Sequence, residues 1–261
     1  MNIEKWKVVP LSEAQLLDMR FEDILEEGLY RKCNTYRGGG GYDRFPELCE
    51  LLLNKKYMYE QFVVQLYGCH LDCPYCYVTR AGVWGKPILV TTDELLDAFK
   101  RSEQQVFHLM GGAPAIHIAK WPELLEKFEA RFSDCVFHSD LLLTERVYKQ
   151  HELAAMSSVK NAIFAINIKG VTLNEHRKNT RKKFLHLIFW QNLTKLAFHK
   201  NIKCYITFTN VSQKNIDYFW KLCIVLPNKI VNAWQTTAYS IDLIDYKAVE
   251  FVDAVKWGPT K

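Results

Sequence analysis

Three cysteines, Cys69, Cys73 and Cys76, stand at C-x3-C-x2-C spacing on a turn-prone stretch, Gly68-Cys69-His70-Leu71-Asp72-Cys73-Pro74-Tyr75-Cys76-Tyr77. Deprotonated cysteine is a strong ligand for soft and borderline metals. Three thiolates this close can share one metal centre and leave a fourth coordination position open. Chemistry needs that open position, and a closed structural site lacks it. A structural zinc site is the physical alternative, with His70, Cys33 or Cys49 as the fourth ligand. Such sites usually pair two short knuckles a dozen or more residues apart, and no second knuckle is present in the sequence. Of the remaining cysteines, Cys135, Cys204 and Cys223 lie in apolar periodic segments and read as small core residues.

The loop needs elements to hold it. The apolar run Phe62-Val63-Val64-Gln65-Leu66-Tyr67 directly precedes it and reads as a buried strand over Gln61–Tyr67. Beyond it, strand and helix patterns alternate. Expected strands cover 106–110, 135–138, 162–168, 203–208 and about 229–234, with a further extended stretch near 239–244. Expected helices cover 93–102, 122–130, 144–156, 182–199 and 213–225, with Thr92, Pro122 and Ser212 as start signals. Such alternation implies a parallel sheet. About six units fit between residues 59 and 245, short of the eight in a closed barrel. The fold class expected is therefore α/β, a partial (β/α)6 TIM-like barrel.

Functional groups of parallel sheets collect at the carboxyl ends of strands. The cysteine loop follows the first strand. Gly111-Gly112 follows the second, Ser139-Asp140 ends the third, and Asn167-Ile168-Lys169 ends the fourth. All four sites are thus expected on one rim.

Residues 1–58 read as a mostly helical N-terminal extension, apart from a barrel domain over 59–261. Ser12 would cap a helix from Glu13 to Glu27, and Pro46 would open another over 47–53. Between them Gly38–Gly41 breaks the chain. The charge balance, 34 Lys+Arg against 29 Asp+Glu, gives +5. That permits an anionic partner without requiring one. The run His176-Arg177-Lys178-Asn179-Thr180-Arg181-Lys182-Lys183 is locally denser; it is either a solvated loop and helix start or a patch for an anionic or nucleic-acid partner. No apolar run approaches the roughly 20 residues of a membrane span, and no cleavable apolar leader opens the sequence. The expected compartment is the cytoplasm.

The cysteine loop resembles the signature of the radical S-adenosylmethionine (radical SAM) superfamily, with Tyr75 as the aromatic residue before the last cysteine. The resemblance covers residues 59 to about 245. It implies that Cys69, Cys73 and Cys76 bind a [4Fe–4S] cluster, that S-adenosyl-L-methionine chelates the fourth iron, and that one electron from the cluster cleaves it to a 5′-deoxyadenosyl radical that abstracts hydrogen. Gly111-Gly112-Ala113-Pro114 is similar to the family's Gly-Gly-Glu-Pro turn, which holds the amino group of the cofactor. Here alanine replaces the glutamate, so backbone carbonyls or another residue must accept that hydrogen bond. Ser139, Asp140 and Lys169 are the further cofactor contacts the resemblance implies. Asn167-Ile168-Lys169 with His176 is similar to a pattern of glycyl-radical-enzyme activases, which implies a partner protein as substrate. The basic run points instead to a nucleotide or RNA substrate, and Ala113 to a non-catalytic cluster- or cofactor-binding regulator. A flavodoxin- or ferredoxin-type electron donor is the implied redox partner.

Overall fold

A computed structural model of the chain describes residues 5–12, 22–25, 30–36 and 58–242. Its centre is an eight-stranded sheet. Six strands run parallel: β4 (Met58–Gln65), β6 (Val106–Met110), β7 (Val136–Leu141), β8 (Ala162–Ile168), β9 (Cys204–Thr209) and β10 (Tyr239–Ile241), hydrogen-bonded in that order. Helices fill the crossovers: α1 (Arg80–Trp84), α2 (Thr92–Ser102), α3 (Trp121–Arg131), α4 (Gln150–Ser158), α5 (Leu173–Thr180), α6 (His186–Phe198), α7 (Gln213–Leu222) and α8 (Asn228–Thr237). This is the α/β partial barrel expected.

The N-terminal segment corrects the expectation of helix. Its described parts are strands: β1 (Trp6–Val8), β2 (Glu22–Leu25) and β3 (Tyr30–Tyr36). β2 and β3 form an antiparallel hairpin that extends the sheet beyond β4. β1 pairs antiparallel with the short strand β5 (Ile88–Val90). The expected helix over 13–27 thus meets strand at 22–25; its other residues, the helix over 47–53 and the glycine run at 38–41 lie outside the described residues. The physical reason is the partner. A strand takes its hydrogen bonds from a neighbour distant in sequence, and local propensity is overridden when that edge is available.

The sixth strand is also corrected. Residues 229–234 lie within α8, and the last parallel strand is β10 at 239–241. The segment around Val231 and Trp234 has helical spacing and buries both on one face. The helix expected over 182–199 starts only at His186, as α6, and a separate helix, α5, precedes it and is stopped by Arg181 in a left-handed conformation (φ 56°). The helix expected over 144–156 starts only at Gln150. α2 is capped one residue earlier than expected, by Thr91, whose hydroxyl accepts from Glu94 N while the Glu94 carboxylate accepts from Thr91 N.

The period of two in each strand sends alternate residues to opposite faces. Phe62, Phe107, Phe137, Phe164 and Phe208 face the helices and, with Phe99, Trp121 and Phe128, form the main core. The concave face carries the other set. At its floor Val106, Val136, Ile163, Ala165 and Tyr205 make a small separate apolar cluster. One step up each strand the concave residues turn polar: His108, His138 and Asp140, then Asn167 and Thr207.

Candidate active site

The cysteine loop leaves β4 at its carboxyl end and is held by backbone contacts from three sides. Gly68 N donates to Val83 O of α1 at 2.9 Å, Asp72 N to Thr180 O at the end of α5 at 3.0 Å, and Ala113 N to Gly68 O at 2.8 Å. Within the loop, Cys76 N donates to Cys73 O and Leu71 N to Cys69 Sγ. His70 Nε2 meets Thr144 Oγ1 at 2.7 Å, while its Nδ1 is buried without a hydrogen-bond partner.

Gly111 and Gly112 turn beneath this loop with φ of 76° and 57°. A Cβ on Gly111 would overlap the buried Gln65 side chain, and one on Gly112 would overlap Gly68 O and stand 2.6 Å from Leu66 O. Only glycine lets the turn pass so near the loop. The Ala113 methyl is fully buried against Leu71 and Leu142 and does not line the cavity; its part in the site is the backbone N–H to Gly68.

A cavity of about 440 Å³ opens at this rim. Its wall holds Cys69, Cys73, Tyr75 and Cys76, Met110 with Gly111 and Gly112, and Asp140, Asn167 and Lys169 from β7 and the end of β8. Of the expected contacts, Ser139 does not reach it. Ser139 lies on the helix-facing side of β7 and its hydroxyl donates to Leu109 O at 3.3 Å. Strand alternation turns its neighbour Asp140 inward instead. His176 is likewise elsewhere: it is buried, stacked on Phe184 at 4.6 Å between centroids, with Thr180 Oγ1 3.2 Å from Nδ1. Lys169 does face the cavity. Its Nζ donates to Thr209 Oγ1 at 3.1 Å and lies 5.5 Å from the Tyr75 ring centroid.

Arg80, Lys182 and Gln65 were not anticipated. The first two line the cavity; Gln65 supports the glycine turn from below, its Oε1 accepting from Arg31 Nη2 at 3.2 Å. Lys182 belongs to a run already marked by its charge. Gln65 could have been found as the polar residue inside the apolar run 62–67, whereas no pattern in the sequence marks Arg80.

Burial governs the electrostatics. The Cys69 thiol is pushed up to about 12, chiefly by desolvation, with Cys73 and Cys76 adding to it. A buried thiol this reluctant to ionise becomes a thiolate when a metal replaces its proton. Asp140 is pushed up to about 6 by burial, against the hydrogen bond of Asn167 and the charge of Lys169. Burial holds His70 down, to about 4.

The donor set discriminates between metal centres. The three cysteines are in no disulfide. Among the described residues the one trio of His, Cys, Asp or Glu donors drawn within 4.8 Å is His108, His138 and Asp140, so at least one pair of the three sulfurs stands wider apart than this. A single tetrahedral zinc, with Zn–S near 2.3 Å, would hold three sulfurs about 3.8 Å apart. A cluster, in which each thiolate takes its own iron, asks for the wider spacing. Of the other zinc ligands considered, Cys33 belongs to β3, opposite Gln61 of β4, and Cys49 lies outside the described residues.

The model of the radical SAM superfamily matches residues 63–223. The chain belongs to the radical SAM superfamily. Its cofactors are those of the superfamily, a [4Fe–4S] cluster and S-adenosylmethionine; radical SAM enzymes generally need a one-electron donor. The residues fit these groups: three thiols in no disulfide, an orphaned His70 nitrogen and a glycine turn without side chains border one cavity. No curated protein matches the chain. Similar solved structures include SuiB of Streptococcus suis (TM-score 0.48, 12% identity, covering 76% of this chain and 42% of that one). SuiB bound to S-adenosylmethionine is similar too (0.48, 13%, 74% and 41%). So is TYW1 with a lysine-pyruvate adduct bound (0.48, 12%, 90% and 81%). The chain thus spans well under half the length of SuiB. Among the described residues no helix is long and apolar enough to cross a membrane.

Proposed function

We propose that this radical SAM enzyme abstracts hydrogen from an anionic substrate, of nucleotide type, held at the mouth of the cysteine-lined cavity. The observation that carries it is the charge around that mouth. Lys169, Lys182 and Arg80 line the cavity, and Arg177, Lys178, Arg181, Lys182 and Lys183 are exposed beside it on α5 and the turn that follows. The basic run is tied to the cysteine loop through the Asp72–Thr180 backbone hydrogen bond. Cations clustered at a cleft attract an anion and orient it before it docks.

In this reading Cys69, Cys73 and Cys76 hold the cluster. When bound, the cluster supplies the electron that cleaves S-adenosylmethionine to a 5′-deoxyadenosyl radical. The protein's part is positioning and exclusion of water. Gly111 and Gly112 offer backbone carbonyls to the cofactor amino group in place of the side chain that Ala113 lacks. Asp140 and Lys169 flank the remaining cofactor contacts, and Tyr75 closes the wall beside Cys73. We place the catalytic unit at residues 59–261, with residues 1–58 an extension whose described strands lengthen the sheet. A flavodoxin- or ferredoxin-type protein is the proposed electron donor.

A partner-protein substrate is the second reading. Leu173 and Leu187 are 61% and 77% exposed on the elements flanking the basic run, apolar area of the kind a protein partner covers.

The test is anaerobic reconstitution with iron and sulfide, followed by assay for 5′-deoxyadenosine under dithionite. Wild type is expected to form it and Cys73→Ala is not. Cluster and cofactor binding without any 5′-deoxyadenosine would make the chain a regulator and sink the catalytic reading. Arg177→Glu/Lys178→Glu is expected to leave cofactor cleavage intact while weakening capture of nucleotides in a salt-dependent way. Equal capture by this variant favours the partner-protein reading.

A further inference from the structure

Beside the start of the cysteine loop stands the two-stranded ribbon of β1 and β5, and its outer face is exposed. β1 joins the end of β4, with Tyr67 N donating to Lys7 O at 2.9 Å and Val9 N to Gln65 O at 3.0 Å, and pairs with β5 on its other side. Trp6, Val8 and Val90 turn inward and are buried, so Lys7 and Leu89, paired across the ribbon, turn outward. From this pair the surface leads to the loop. Lys7 Nζ lies 5.5 Å from the Tyr67 ring centroid, and the Tyr67 and Trp84 rings meet edge to face at 5.3 Å. Trp84 in turn packs on Gly68, the residue before Cys69: a Cβ on Gly68 would stand 3.5 Å from the indole. Trp84 also lines the cavity that the cysteines border.

Two properties mark this face. Its exposed side chains are apolar: Trp84 is 44%, Ile88 44% and Leu89 53% exposed. Neighbouring exposed apolar residues rimmed by charge mark an interaction site, where single ones would not. The charge around them has one sign. Residues 5–12 and 77–91 build the face, and the turn at 111–121 is tied to it by His117 Nε2, which meets Tyr67 O at 2.9 Å, and by Lys120 Nζ, which donates to Lys5 O. These segments carry Lys5, Lys7, Arg80, Lys86 and Lys120 and no acidic residue. The acids that follow are committed elsewhere, Asp93 to Lys127 at 2.7 Å and Glu94 to the cap of α2.

We propose that the face built on Lys7, Lys86, Leu89 and Trp84 docks a small acidic electron-transfer protein, the source of the cluster's electron. The inference rests on the reading that a flavodoxin- or ferredoxin-type protein is the donor, and what it adds is the place. Contacts for electron transfer are small, under about 1,200 Å², so a short ribbon with an apolar centre and a cationic rim suffices. The cations speed the encounter with an acidic partner, and the apolar side chains give it a dry seat. Inward from Trp84 the path to Cys69 crosses one residue of backbone, Gly68. The step moves one electron: the donor loses it, the cluster gains it, and no bond forms or breaks. The basic run at 176–183 belongs to other elements, α5 and the turn after it, and is left to the substrate. Nucleic acid suits the ribbon less well, because Ile88 and Leu89 offer a phosphate nothing.

The test compares the full wild-type chain with Lys7→Glu/Lys86→Glu and with Leu89→Asn, all reconstituted anaerobically. None of these three side chains lines the cavity. Two quantities are read with a purified acidic flavodoxin: its dissociation constant by calorimetry, and the rate at which its reduced form bleaches the cluster absorption without S-adenosylmethionine. Lys7→Glu/Lys86→Glu is expected to bind about tenfold more weakly, to be reduced about tenfold more slowly at low salt, and to lose most of the salt dependence seen in wild type. Leu89→Asn is expected to weaken binding roughly threefold at every salt concentration. Reduction by dithionite, which needs no docking, should be unchanged in both. Wild-type affinity and rate in Lys7→Glu/Lys86→Glu overturn the docking face and leave the donor class standing. A weakening found instead in Arg177→Glu/Lys178→Glu puts the donor on the other cations and also overturns it. If neither flavodoxin nor an acidic ferredoxin binds or reduces wild type while dithionite does, the donor reading fails and the proposal with it. A single-stranded RNA, or a second copy of the chain in sedimentation, that Lys7→Glu/Lys86→Glu releases while it still holds flavodoxin would assign the face to that occupant and overturn the proposal.

Discussion

Gly112 and Gly68 meet through backbone alone: a Cβ on Gly112 would overlap the Gly68 carbonyl oxygen, the same oxygen that accepts from Ala113 N at 2.8 Å. The glycine turn and the first residue before the cysteine loop are therefore one unit. Gly112→Ala is expected to cost about 1–2 kcal/mol in left-handed strain alone and to push the loop off its seat. Iron content after reconstitution should fall below half that of wild type while the far-ultraviolet circular dichroism stays native. Full iron occupancy in this variant would uncouple the turn from the loop.

Gly111 meets a side chain rather than backbone, so its substitution can be compensated. Gly111→Ala overlaps the Gln65 amide, which Arg31 holds from the other side. We expect a loss of about 2–4 kcal/mol from strain and a broken buried hydrogen bond. Shortening Gln65 to alanine in the same chain should recover part of it. A double variant no better than the sum of its parts, in urea denaturation, would contradict the steric cause.

Ala113→Glu restores the residue type that the family's turn usually carries, but at a place already filled. The methyl is fully buried against Leu71 and Leu142. Overpacking costs about 1–3 kcal/mol, and a carboxylate without partners adds to it. The expected result is a less stable protein whose affinity for S-adenosylmethionine is no higher. Tighter binding in equilibrium dialysis would show that the position does face the cofactor.

Lys169→Met removes the one charged group that both lines the cavity and lies over Tyr75. A charge-assisted contact is worth about 1.5–3 kcal/mol, so affinity for S-adenosylmethionine should fall roughly tenfold or more. Thr209→Val, which removes only the hydroxyl held by Lys169, should change it by less than threefold. Equal effects in the two variants would assign Lys169 a packing role.

Arg146 and Glu152 give a stability prediction away from the site. The Glu152 side chain is fully buried and paired with the partly exposed Arg146. Burial alone would raise its carboxyl, but the Arg146 guanidinium and Lys149 N–H outweigh this and hold it below its ordinary value. The pair's stabilisation is therefore present above pH about 4.5 and is lost as the pH falls through the lowered value. Arg146→Ala leaves a buried carboxylate short of a partner and should cost about 2–3 kcal/mol at pH 7. The deficit should shrink towards pH 4, where the carboxyl takes up a proton. A deficit that grows with acid would contradict the assignment.

What the sequence by itself determined was local. The spacing of Cys69, Cys73 and Cys76, the glycines at 111 and 112 and the alternation of strand and helix sufficed for a parallel partial barrel with its chemistry on one rim, because strand ends and turns are written in neighbouring residues. Three matters waited for the tertiary structure. Strand β2 replaces expected helix because its hydrogen-bond partner is β3, not its own turn. Ser139 and Asp140 are adjacent and equally polar, and β7 is buried on both faces. Only its pairing with β6 and β8 turns Asp140 to the cavity and Ser139 to the helices. His108 and His138 are 30 residues apart and look like ordinary core residues in sequence; cross-strand pairing sets one ring on the other. Pairing across strands is a property of two segments at once, and no single stretch of sequence contains it.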